Sequence, residues 1–228
     1  MVIMGSRSKE ILEQLNEVLI KRRNTLEIIL PSIVFLIVNI TLGFSYAVLV
    51  SMMSSFLFTI YKLLKGNSIK YSVLGFFGAL FSVLVTRFLG RLEGYFLPGI
   101  AINFLIIVLS VLSLILRKPL VSWASHLSRG WSLNWYWHEK VRPAYTEVTL
   151  FWVLILSIKL VIQIFFFRLG NPDLFGTVNV ITGWPLTVFI LILSYVYGSW
   201  RLKNLNGPSV QEFEKGKKPP WKGQNKGF

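Results

Sequence analysis

Lys159 and Gln163 stand four residues apart inside the apolar run Val148–Phe167, a spacing that places both on one face of a helix. An ammonium group within a bilayer is costly and is expected to face a bundle interior or a wet cavity, in contact with substrate, ion or lipid headgroup. Asn39 and Asn103 fall at similar depth in two other apolar runs. Arg87 closes a further run, with Glu93 in the outer loop beside it; Glu93 or Asp173 is placed to supply a counter-charge from the outer rim. Lys159, Gln163, Asn103, Asn39, Arg87 and Glu93 are therefore the candidate ligand-contacting set. The amides have a second reading, in which they only hydrogen-bond helices together at about 0.6–2 kcal/mol per contact.

Signatures of catalysis are missing. The chain has no His-Glu-x-x-His, no Gly-x-Ser-x-Gly and no phosphate loop. His126 and His138 have only Glu139 near them, which suits surface histidines better than a metal site. No apolar run carries a pair of carboxylates. The expectation is a non-enzymatic protein without cofactor or metal.

The runs that must position these residues are long. Of 228 residues, 54% are hydrophobic and 15% charged, against about 25% charged in soluble domains. Mean hydropathy is +0.60. A spanning helix needs roughly 20 apolar residues. Six runs qualify: Ile28–Ser45, Tyr46–Leu64, Tyr71–Phe88, Tyr95–Leu116, Tyr145–Phe167 and Val178–Trp200. None alternates with period two, so a β-barrel is excluded. The expected fold is all-α: a polytopic integral membrane bundle of six transmembrane helices spanning residues 27–201. Gly43-Phe44-Ser45 alone separates the first two runs and demands a tight turn. Gly183-Trp184-Pro185 should kink the last helix or start it late. Leu26-Glu27 with Leu30-Pro31 is echoed by Leu92-Glu93 with Leu97-Pro98, a faint inverted repeat whose spacing is not kept afterwards.

Net charge is +14, but the cations sit between hydrophobic runs rather than along one soluble face, which argues against nucleic acid. Most of them flank one set of run ends. Arg87, Arg91 and Arg168 fall on the other side and Lys159 within a run, so both termini are expected in the cytoplasm. Residues 1–26 form a polar N-terminal segment in which Ser8–Arg23 reads as an amphipathic helix, lying on the membrane or solvated. The loop Pro119–Pro143 reads as a short cytoplasmic interfacial helix, Leu120–Leu127, and then an aromatic segment (Trp131, Trp135, Tyr136, Trp137) on the inner leaflet. Residues 202–228 are basic and rich in Gly, Pro and Lys, and are expected to be a disordered tail, either drawn to anionic headgroups or simply solvated.

The order of certain residues resembles the intracellular septation protein A family, small polytopic bacterial inner-membrane proteins. Glu27, Pro31 and Phe35 open the first run; Arg117-Lys118-Pro119-Leu120 closes the fourth; Trp152 lies in the fifth. A related actinobacterial group of unknown function is closer: Phe96-Leu97-Pro98-Gly99 with Asn103, Arg142 with Ala144-Tyr145, Thr149 with Trp152, and Gln163 look typical of it, with Lys159 where arginine is usual. The resemblance covers about residues 26–201. It implies a multi-pass protein of the bacterial inner membrane that serves envelope or division processes through lipids or other membrane proteins, and it transfers no catalytic residue. A homo-oligomer is compatible with this. The alternative expectation is a small transporter or channel with its polar site around Lys159 and Gln163.

Overall fold

A computed structural model describes residues 25–64, 70–224 and 227–228. The expected helix at residues 8–23 lies outside them. The described residues contain no β-strand. Four helical stretches among them are long and apolar enough to cross a membrane: Phe44–Tyr61, Leu92–Ile115, Arg142–Leu169 and Pro172–Asn204. The chain is thus an all-helical protein of membrane character. It divides into two compact units, one made of the described residues up to Leu97 with Gly170–Trp184, the other of Pro98–Leu169 with Pro185–Phe228.

In the first unit α1 (Thr25–Leu42) and α2 (Phe44–Leu64) are joined by Gly43 alone. Its φ of +86° is a conformation that side chains disfavour, so one glycine makes the tight turn that the sequence demanded. Helix α3 (Lys70–Leu89) leads to a 3-10 turn at Leu92–Phe96, and α8 (Pro172–Ile181) returns from later in the chain. Phe35, Phe44, Tyr95, Phe96 and Phe175 pack as one aromatic knot, with centroids 4.8–6.3 Å apart, mostly edge to face.

The second unit holds α4 (Leu97–Ile115) from Pro98 on, α5 (Leu120–Arg129), α6 (Leu133–Tyr136), α7 (Arg142–Leu169), α9 (Trp184–Asn204) from Pro185 on, and α10 (Val210–Glu214). The last long helix does start late, at Trp184, with Pro185 in its first turn where its missing N–H costs nothing. Helix α5 extends over the expected interfacial stretch and packs Val121, Ser122 and Ser125 inward.

Two expectations fail here. The aromatic segment does not lie open to a lipid surface, because Trp135 and Tyr136 are completely buried. Trp135 donates its Nε1 proton to the Pro208 carbonyl (2.9 Å) and Tyr136 its hydroxyl proton to Ser125 Oγ (3.0 Å), so both polar tips are satisfied inside the protein. The described residues of the tail do not form a disordered segment either. Ser209 and Glu212 form a reciprocal capping box that starts α10. Val210 and Phe228 join the core built on Tyr136, Val141, Tyr145 and Leu202, and Phe213 packs against it. A few aromatic and aliphatic residues, spread thinly through a basic segment, find this ready-made core; average composition conceals them.

Candidate functional site

Helix α7 carries an inward stripe with alternating steps of four and three residues: Tyr145, Thr149, Trp152, Leu156, Lys159 and Gln163. The opposite side is open and apolar from Leu150 through Leu154, Ile158 and Val161 to Phe165, with Glu147 and Arg168 beyond its two ends. Polar groups on the stripe meet other elements one by one. Thr149 Oγ1 accepts from the Val121 N–H (3.4 Å), and Trp152 Nε1 donates to Ser194 Oγ (2.8 Å). Asn103 Nδ2 of α4 donates both to the Leu156 carbonyl (3.3 Å) and to Gln163 Oε1 (3.1 Å). Asn103 and Gln163 are 5% and 3% exposed, so this amide clamp closes in a dry setting, where an unpaired amide would be expensive.

Lys159 stands on the same stripe between the two acceptors of the clamp and is half-buried. No hydrogen bond or ion pair joins it to another described residue. The arrangement can hold two helices together, and it offers an ammonium to an anionic group that reaches it.

The other candidates are committed elsewhere. Asn39, 4% exposed, belongs to the first unit, where Nδ2 donates to the Asp173 carbonyl (2.9 Å) and Thr177 Oγ1 (3.3 Å). Asp173 Oδ1 accepts from the Phe44 N–H (2.7 Å) and so caps α2 across the Gly43 turn, where a negative charge at a helix start is favourable. Glu93 is buried, with Arg91 Nε 3.8 Å from its Oε2. The two carboxylates expected as counter-charges thus serve a helix cap and a neighbouring arginine. Arg87 is exposed at the end of α3.

Sequence reasoning passed over one ion pair. Arg201 of α9 grips Glu147 of α7 through Nε and Nη2 at 2.8–3.0 Å, and Tyr197 donates its hydroxyl proton to Glu147 Oε2 (2.6 Å). The signal was available: Glu147 is the sole carboxylate in α7, a position that calls for a partner. His126 Nδ1 lies 2.6 Å from the Trp131 carbonyl and His138 Nδ1 accepts from the Lys140 N–H (3.2 Å), so both histidines serve the fold of the aromatic segment.

The model of a family described as protein of unknown function (DUF3159) matches residues 22–201. The chain belongs to this family. No curated relative and no solved structure matches. The DUF3159 region ends at Arg201, so it contains the amide clamp and both partners of the Glu147–Arg201 pair, while the tail that buries Phe228 lies beyond it.

Proposed function

We propose that the chain is a non-enzymatic, six-span protein of the bacterial inner membrane, with both ends in the cytoplasm, that serves envelope or division processes through contacts with lipids and other membrane proteins. The relation to septation protein A relatives, and with it the actinobacterial grouping, is part of this proposal. The observation that carries it is the two-faced helix α7. Through the middle of the helix the stripe residues are mostly spent on helix–helix hydrogen bonds, while the outer face from Leu150 to Phe165 offers only apolar side chains, as lipid-facing helices require, with Glu147 and Arg168 near its two ends. The four apolar stretches and the two further long helices α1 and α3 supply the six spans of the proposal. Depletion in the native host tests the role: defects in septum placement, wall synthesis or membrane order are expected, and all three unchanged would defeat it.

A second reading, a small transporter or channel, draws on Lys159, an ammonium beside the amide clamp without a described partner. Because the chain has no cysteine, Lys159→Cys gives a unique thiol. Transport predicts modification by a membrane-impermeant thiol reagent from the aqueous phase. Protection in the folded protein, with Lys159→Leu stable and free of phenotype, removes that reading.

A further inference from the structure

Helix α4 ends in a hydrogen-bonded corner. The Arg117 N–H reaches the Leu114 carbonyl (3.0 Å) and the Lys118 N–H the Ser113 carbonyl (2.9 Å), the pattern of a helix stopped by one left-handed residue. That residue is Arg117, with φ of +56°, where glycine is the usual occupant. The Arg117 side chain is exposed and makes no ion pair or hydrogen bond with another described residue. Backbone conformation thus disfavours an arginine here, and no hydrogen bond or ion pair with a described residue offsets this. Beside it Lys118 is also exposed, and its ammonium stands 4.4 Å from the ring centre of Trp137, which holds it at the corner.

The corner also aims α5. Ser113 Oγ accepts from the Leu120 N–H (2.9 Å), so α5 leaves at the level where the apolar helix ends. One face of α5 is buried in the protein. The other presents Leu127 (84% exposed) and Trp123, and Ile115 at the end of α4 and Leu116 just after it are each 70% exposed. In chain order these apolar residues lie on both sides of Arg117 and Lys118, just past the end of a helix long and apolar enough to cross a membrane. Tryptophan and cationic side chains are the residue types that settle at headgroup depth.

We propose that the α4–α5 corner binds the phosphate headgroup of an anionic phospholipid through Arg117 and Lys118, with Trp123 and Leu127 set among the upper acyl segments of the same leaflet. This rests on the membrane reading above. The α5 surface is occupied by lipid rather than by a protein partner, because its apolar face and its cations are arranged in the order of the bilayer itself.

The test uses the full chain in nanodiscs of phosphatidylcholine with graded phosphatidylglycerol. Failure to enter bilayers at all would refute the membrane reading; the outcomes below concern the site. Native mass spectrometry is expected to find phosphatidylglycerol retained over phosphatidylcholine. Arg117→Gly and Lys118→Gln should each lower that preference about fivefold, the effect of one cation near an anionic surface. Arg117→Gly is diagnostic, since it relieves the backbone and keeps the fold. Inorganic phosphate and glycerol phosphate should not compete; competition at equal concentration would mean a soluble phosphate ligand and overturn the proposal. A fluorophore on Leu127→Cys should be quenched by a nitroxide placed near the headgroup and shielded from aqueous iodide. Iodide quenching equal to that at Lys217→Cys, or an unchanged lipid preference in both charge variants, would also overturn it.

Discussion

Gly198 of α9 gives the sharpest test of how the tail is held. A Cβ built on Gly198 would clash with Cδ2, Cε2 and Cζ of the Phe228 ring, which stacks on Tyr145 at 4.4 Å with the planes 8° apart. Phe228 is 8% exposed, and Arg129 Nε donates to its carbonyl (2.9 Å). Two effects of Gly198→Ala oppose each other. Alanine in a helix interior is favoured over glycine by about 1 kcal/mol. Expelling the ring forfeits about 2–3 kcal/mol of burial and stacking. The ring wins, and Gly198→Ala should destabilise the docked tail by about 1–2 kcal/mol. In a Phe228→Ala background the obstacle is gone, and the same substitution should stabilise by up to about 1 kcal/mol. Hydrogen exchange across Val210–Glu214 and at Lys222, read as opening free energies in the four proteins of the cycle, measures both values. The same sign in both backgrounds would refute the claim that Gly198 exists to seat Phe228.

Two further outcomes follow from the same structure. Asn103→Leu and Gln163→Leu should each destabilise the folded protein in detergent, and their double-mutant cycle should show a coupling of about 0.6–1.7 kcal/mol, as measured for hydrogen bonds between membrane helices; additive losses would mean that the amides do not act as a pair. The N–H groups of Lys222 and Ser209 hold the Glu212 carboxyl down at about 2 from its ordinary 4.5. A carboxyl with a lowered folded-state value stabilises fully above the unfolded value, so tail protection should persist down to about 4.5 and be lost as pH falls toward 2. Glu212→Gln should flatten that dependence, and an unaltered pH profile in the variant would assign the transition to other groups.

What could be read directly from the chain was local. Hydropathy over windows of about 20 residues marks apolar helices, because each span must satisfy its own backbone hydrogen bonds. Gly43 as a one-residue turn, the late start at Trp184 and the short helix after Pro119 follow from single residues with narrow conformational preferences. The four-residue step from Lys159 to Gln163 likewise fixed a shared face. Asn103 as the partner of Gln163 was suggested by depth alone, and only packing made it a 3.1 Å contact.

The rest is decided by groups far apart in sequence. Asp173 caps α2 from 129 residues away, Arg201 reaches Glu147 across 54, and Arg129 meets Phe228 across 99. No periodicity encodes such pairs, since each depends on where whole helices come to rest. The tail and the aromatic segment were misread for this reason. A basic, proline- and glycine-rich stretch averages to disorder, and a tryptophan-rich loop averages to a membrane surface. Folding judges neither average: Trp135, Tyr145 and Phe228 bury one another because tertiary structure brings their rings to the same place.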